Sequence, residues 1–544
     1  MIEHVKRTTD DAKKLFGEKQ VLDSYFQESA LLFYPERATF TSTPYVGQRF
    51  CENLSSGASP LMRRDFGNLL SAMLRPSTKE WFKLTTSDEP DYQTQVMLDQ
   101  MQKSMRREMY RPKTRFVSSL READHDYATF GQAALTVEMN YRTNCLLYRT
   151  WHLKDMAWRQ DETGEISHVY RKDEMTAFNL NRRYKGNVSQ HVKAMLVKDP
   201  NAMVKIMHCV MPAEQWKDEI SQPYASVIIE SDSQHVLFES GATSTIYVIP
   251  RWQTVSGTQY AHSPCVTAGL AEARTLQAIS LMLLEAGEWA SNPTWLATDE
   301  VVGDTPNIYP GGVTFVDPGY DQRTGSALQP LTIDSRGLPY GMQMQENSID
   351  MLNRAWFLDR INLPSVAASG EMTAYETQQR VSEYIRNALP LFEVMEHDYS
   401  AKICARTHQV LMENGRFGEQ SMMPEAMMNS DSIVFEFETP LSEAMERMKV
   451  NQFAEVLQIG SGALGAGIDT ALDLVDMEGL LKEAYEGTGI DTKYMRDEYE
   501  LAAMKQQKRN DAEQAQILDT MQKGGQAAGS MAQGMQQMQG AGLL

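Results

Sequence analysis

Residues 260–289 read YAHSPCVTAGLAEARTLQAISLMLLEAGEW, and the architecture is worked outward from this stretch. Ser263 stands where a side-chain oxygen can cap a helix, and Pro264 falls at the first helical position, where its missing N–H costs nothing. Val266, Leu270, Ala273, Leu276 and Leu283 then form an apolar stripe, so the spacing predicts a helix running to about Trp289. The next fifty residues, 292–341, carry Asn292-Pro293, Pro310-Gly311-Gly312 and Asp317-Pro318-Gly319, turn signals around short strands. A helix follows, with Met342, Ile349, Leu352 and Trp356 on one face, Gln343, Asn347, Asp350 and Arg354 on another, and Leu363-Pro364 as its stop. Two long helices bracketing a turn-rich excursion are the organising feature of the chain.

Upstream, Leu15, Phe16, Leu22, Phe26 and Leu31 predict a helix over 11–32 that Pro35 ends. Further helices are expected at 61–74 and 91–107. Between 133 and 249 the texture turns to β-branched and aromatic segments, with strands expected at 135–139, 146–151, 166–170, 226–229 and 245–249 and some helix at 175–184. Downstream, 362–370 reads as a loop of small and polar residues and 373–386 as helix. More helices reach about 508, interrupted by Phe435-Glu436-Phe437 and by glycines near 460. The Gln, Gly, Ala and Met tail from 524 lacks core-forming residues and reads as disordered. The fold class is α+β.

At 544 residues the chain can hold two or three packed regions. Its formal charge is −20, and no basic face stands out, so DNA meeting it would be passed along and not gripped. Five widely spaced cysteines without a C-x-x-C pair argue against a disulfide framework or zinc site and read as buried small hydrophobes. The opening residues have no apolar leader and no apolar run approaches a spanning helix, so a protein neither secreted nor membrane-inserted is expected. Gly460-Ser461-Gly462-Ala463-Leu464-Gly465 spells a dinucleotide fingerprint, but helical spacing precedes it where a strand is required, and it reads as a flexible helix break. No Gly-Lys dipeptide occurs, which removes the phosphate-binding loop of ATPases. His262, His397 and His408 lack metal-ligand spacing. No catalytic residue, metal or cofactor is expected, and the 34 methionines read as adaptable filler of cores and interfaces.

Several stretches resemble the portal, or head-to-tail connector, family of podoviruses. Tyr260-Ala261-His262-Ser263-Pro264 is similar to the family's Tyr-Gly-Arg-Ser-Pro-like approach to its first stem helix, with Ala261 and His262 replacing Gly and Arg. Asn292-Pro293 to Leu296 and Tyr309-Pro310-Gly311-Gly312-Val313 resemble its clip. Glu371-Met372-Thr373-Ala374-Tyr375-Glu376 resembles the Met-Thr-Ala-Thr-Glu segment after its tunnel loop, and Thr439-Pro440-Leu441 and Asp473-Leu474-Val475-Asp476 its C-terminal helices. The resemblance implies a portal fold with wing, two-helix stem, β-containing clip and α-helical crown, assembled as a ring, and not an enzyme.

On that reading the wing takes 1–259, the first stem helix 260–290, the clip 291–341, the second stem helix 342–361 and the tunnel loop 362–372. The wing returns over 373–440, the crown takes 441–510 and a disordered tail 511–544. Asn362, Pro364, Ser365, Ala368, Ser369 and Gly370 would touch DNA in the channel, which Gln343, Asn347, Asp350 and Arg354 would line. Leu270, Leu283, Leu352 and Trp356 would pack between subunits, and Pro293, Trp295, Pro310, Gly311 and Gly312 would dock terminase and then the tail. The implied partners are further copies in a homo-oligomeric ring, expected to be a dodecamer, the large terminase subunit, tail adaptors, major capsid and scaffold proteins and double-stranded DNA, with no membrane. The expected location is the virion, after assembly in the host cytoplasm. Two other classes stay open at this point: another virion structural protein, such as a tail adaptor or internal core protein, and a dinucleotide-binding enzyme resting on Gly460–Gly465 alone.

Overall fold

The computed structural model describes residues 2–43, 45–77, 79–86, 92–217, 219–291, 295–297, 328–330, 337–361, 393–418 and 433–437, with a few helical positions between 456 and 507. The chain forms two compact units, one of 1–84 and 101–445, the other of 85–100 and 446–544. In the second, the described residues are helical at 92–100, at 456–458 and at scattered positions to 507.

The first unit opens with α1 (Ile2–Glu18) and α2 (Gln20–Phe33), two helices where one was expected over 11–32. The junction is Lys19, fully buried, whose Nζ donates to the carbonyls of Leu153 and Met156 and pairs with Asp23 at 3.1 Å. Burial pushes this amine down to about 8, against the pull of Asp23. In chain order α3 (Ala58–Leu74), β1 (Phe82–Thr86), α4 (Tyr92–Met109) and α5 (Phe116–Phe130) come next, the residues of β1 and α4 between 85 and 100 counting to the second unit.

The β-rich part holds β2 (Leu135–Asn140), β3 (Cys145–Thr150), β4 (Met156–Gln160), β5 (Ile166–Thr176), β6 (Met203–Pro212), β7 (Tyr224–Glu230), β8 (Val236–Ala242) and β9 (Tyr247–Val248). Strands β4 to β8 form an antiparallel meander in sequence order, with Val169 opposite Val210 and Cys209 opposite Val227. Neighbouring residues of a strand face opposite ways. Thus Tyr170, Cys209 and Val227 meet Val5, Ala12 and Leu15 of α1, while Val169 and Val210 meet Phe26 and Ala30 of α2. The meander is a two-sided core layer. Short helices α6 (Ala177–Arg183) and α7 (Gln190–Lys198) cover its end over Val204, Ile206 and Leu237, and α8 (Ala213–Trp216) joins β6 to β7. A smaller sheet has the order β3-β2-β9, with Val137 opposite Tyr148.

Past these sheets stand α9 (Pro264–Ser291), β10 (Trp295–Ala297), β11 (Leu328–Pro330), α10 (Leu338–Ala355) and α11 (Leu358–Ile361). A π turn at Glu396–Ser400 leads into α12 (Ala401–Glu413), and β12 (Ile433–Phe437) pairs with β1. The Phe435-Glu436-Phe437 interruption of the helices is therefore a strand.

Candidate functional site: a helical hairpin on an anchored base

Helices α9 and α10 lie antiparallel, and small residues set how closely they approach. A Cβ on Gly269 would stand 3.3 Å from Leu352 and 3.5 Å from the Ala355 methyl, and one on Gly341 would stand 2.9 Å from Leu283. Between these, Gln345 Nε2 donates to Ser280 Oγ at 3.0 Å. The facing pairs Gly269 and Ala355, Gly341 and Leu283 are both centred on Gly312. Strands β10 and β11 pair antiparallel, Trp295 with Pro330 and Ala297 with Leu328, about the same centre to within half a residue. Helix hairpin and β-ribbon are thus one doubled-back ribbon of chain, running out through α9 and β10 and back through β11 and α10.

The outgoing limb is fixed where it leaves the body. Ser263 Oγ donates to the Ala128 carbonyl at 2.6 Å and accepts from the Val266 amide at 3.4 Å, so the capping residue also ties α9 to α5. Gly131, at φ +72°, ends α5, and a Cβ there would fall 2.1 Å from the carbonyl carbon of His262, so only glycine admits the crossing backbone. Gln132 Oε1 accepts from the Ala261 amide at 2.9 Å, and Trp158 Nε1 donates to the Gln259 carbonyl at 3.1 Å. The returning limb is fixed by an aromatic run. Trp356 lies 5.2 Å from Phe33 and 5.8 Å from Phe66, Phe66 stacks on Trp252 at 5.8 Å, Trp252 on Tyr127 at 5.4 Å, and Tyr127 on Tyr399 at 5.1 Å. The Tyr399 hydroxyl donates to Asp124 Oδ1 at 2.8 Å, and the buried Arg75 guanidinium pairs with the same oxygen. Beside it Arg37 grips Asp126 through Nε at 3.1 Å and Nη2 at 2.6 Å. Burial pushes the Asp126 carboxyl up to about 6, with Arg37 pulling the other way. These pairs, one fully buried and the other with a buried carboxylate under a mostly covered guanidinium, hold α5 in register, since removal of the arginine would strand a buried charge.

Several sequence expectations are revised here. Leu352 and Trp356, expected between subunits, are fully buried inside the chain and have no surface to present to a second copy. Leu270 and Leu283 are half-buried, and Leu283 lies against α10. The buried face of α10 and its cap passes through Ser348, Leu352 and Trp356, so the predicted stripe holds at Leu352 and Trp356, while Ile349 is half-buried and Met342 is exposed. Gln343, Asn347, Asp350 and Arg354 are all exposed. Trp295 lies in β10. Pro293, Pro310, Gly311 and Gly312, the loop residues Asn362, Pro364, Ser365, Ala368, Ser369 and Gly370, and the glycines 460–465 lie outside the described residues. Besides Met342, the hairpin exposes Leu281, Met282, Leu284 and Trp289 on α9 and Tyr340, Met344 and Met351 on α10, positions that single-face readings passed over.

Four cysteines are buried as expected, but Cys51 is exposed. His408 is buried and pushed down to about 4 by desolvation. Among the described residues no cluster of acidic, histidine and cysteine side chains could hold a metal, and no helix is long and apolar enough to cross a membrane. Residues 103–121 nevertheless carry seven basic side chains and one acidic one, a local cluster in sequence hidden by the −20 total.

Over residues 6–495 the sequence matches the family described as bacteriophage head to tail connecting protein. It is 23% identical over 476 residues to the probable portal protein of Bordetella phage BPP-1, covering 85% of this chain and 83% of that protein. It is 21% identical over 546 residues to the portal protein of Salmonella phage epsilon15, covering 97% of this chain and 95% of the relative.

Proposed function

We propose a role for this chain, which belongs to the bacteriophage head to tail connecting protein family, as the subunit of a ring at one capsid vertex through which double-stranded DNA enters and leaves the head. The chain is a structural component of the virion and not an enzyme. The observation that carries the finer reading is the doubled-back ribbon: a pair of antiparallel helices and a β-ribbon sharing one centre, as a stem and clip require, rooted in the packed body through Ser263 and Trp356. The body supplies the wing, α9 and α10 the stem, and β10 and β11 the base of the clip. Residues 362–372, and 441–510 apart from a few helical positions, lie outside the described residues and would take the parts of tunnel loop and crown.

Exposed Leu281, Met282, Trp289, Met344 and Met351 would be covered by neighbouring copies in the ring, expected to number twelve. Gln343, Asn347, Asp350 and Arg354 would face the channel, and the clip would receive terminase during packaging and tail adaptors afterwards. Capsid and scaffold proteins would surround the wing as the ring assembles in the host cytoplasm. Electron microscopy of the purified chain is the test. Closed rings with a central hole are expected, and a monodisperse monomer at micromolar concentration would sink the reading.

A further inference from the structure

We propose that the corner between α4 and α5 is a phosphate-binding site for the backbone of duplex DNA, separate from the stem. The corner borders an open cavity of about 590 Å³ lined by Arg111, Thr114, Arg115, Ser118 and Arg121 among apolar side chains such as Phe116 and Val117, with Glu122 the one carboxylate. Glu122 is already engaged, accepting from Arg37 Nη1 at 2.8 Å, and Arg111 is paired with Glu108 at 2.7 Å. Among the described residues Arg121 donates to the neutral Asn68 Oδ1 at 2.8 Å and forms no ion pair. Lys113 and Arg115 are exposed and meet no carboxylate among the described residues. Cationic charge is therefore in excess at a concave surface.

Two features of the backbone strengthen this. Helix α5 begins at Phe116 and runs for 15 residues, so the amides of Val117 and Ser118, both lining the cavity, have no acceptor within the helix. Arg115 holds φ at +60°, a conformation that glycine or asparagine adopts at lower cost, and an arginine kept there points to a use for its side chain. Guanidinium groups beside free amides make the donor set that suits phosphate oxygens. The spread of Arg111, Arg115 and Arg121 around an open cavity, with exposed Lys113 between the first two in the chain, suits successive phosphates of a duplex better than the single carboxylate of an acidic side chain. The hairpin anchor lies at the other end of α5, ~20 Å along the helix at 1.5 Å per residue. This inference draws on the proposed function only for the presence of DNA.

The test is fluorescence anisotropy with a short blunt-ended DNA duplex, titrated with the assembled full-length chain at several potassium chloride concentrations. The double variant R115G/R121Q removes two cations, and glycine at 115 suits the positive φ, so folding should be kept. Its affinity should fall about tenfold, and the slope of log K against log salt should shrink by about 1.8, at roughly 0.9 per lost phosphate contact. Lys198→Gln, at an exposed position on α7, should change neither. Inorganic phosphate at millimolar concentration should displace duplex from the parent more than from the variant; displacement equal in both would overturn the site. An unchanged affinity and slope in R115G/R121Q would overturn it too. So would loss of self-assembly with DNA affinity retained, which would give the corner to an acidic surface of a second copy. Electron microscopy of the same samples separates this from the function: rings with unaltered DNA binding refute the site alone, while a parent that forms no ring refutes the connector reading.

Discussion

Gly131 and Trp356 hold the two limbs of the hairpin to the body for different physical reasons. At Gly131 the constraint is backbone on backbone, because the His262 carbonyl passes where a Cβ would be, and a main chain cannot rotate away as a side chain can. Gly131→Ala should cost more than the ~1 kcal/mol of a positive-φ substitution alone, visible as a lowered thermal midpoint. An alanine variant as stable as the parent would show that the crossing is looser than 2.1 Å implies. At Trp356 the constraint is volume. Removing an indole packed on Phe33 and Phe66 should cost about 3–5 kcal/mol in chemical denaturation of the dissociated chain. Trp356 could be read in the sequence as apolar and helical, but not as internal, since Phe33, Phe66 and Trp252 come from distant segments.

At the level of elements, what was legible is what local rules decide. Helix α9 could be placed because its Ser-Pro start and 3–4 residue stripe are contained in one stretch. Strand β6 could not: both faces of the meander are covered, so Met203–Pro212 does not alternate, and period-two reading fails. Helix α5 was also missed, because Asp124 and Asp126 are buried among its apolar residues and are tolerated only through Arg75 and Arg37 far away in sequence. The same two-sided burial makes the sheets acid-sensitive. His208 of β6 contacts Tyr247 Oη at 2.5 Å and Ser226 Oγ at 2.9 Å, and burial pushes it down to about 3. His152 is likewise pushed to about 3, and His125 and His408 to about 4. Their native pKa values lie below the unfolded value, so the unfolded chain binds more protons and stability is lost as pH falls from about 6.5 toward 4. Asp126, raised to about 6 by burial, opposes this, as do Asp23 and Asp155, which burial also raises, but the lowered histidines outnumber them. The thermal midpoint should therefore drop through this window, and His208→Gln should reduce proton uptake on unfolding by about one. A midpoint flat from pH 7 to 4.5 would contradict the neutral, buried state of these rings.

For the whole molecule, the exposed and the buried apolar residues of the hairpin separate folding from assembly. Trp356 and Leu352 are spent inside the chain, so a driving force for a ring has to come from what stays uncovered. Met282 is 67% exposed and Met351 50%, on opposite limbs of the hairpin, and neither contributes to the internal core. Replacing both with aspartate should leave the stability of the dissociated chain within about 0.5 kcal/mol of the parent, as for other surface substitutions. In a ring each subunit would bring its two carboxylates to an apolar contact, and burying an unpaired charge there is strongly unfavourable. Native mass spectrometry of M282D/M351D should thus show monomers under conditions that give the parent's closed ring. The contrast with Trp356→Ala, which should weaken the fold before it affects assembly, identifies the surface: rings that persist in M282D/M351D would place the subunit contact on some other face of the stem.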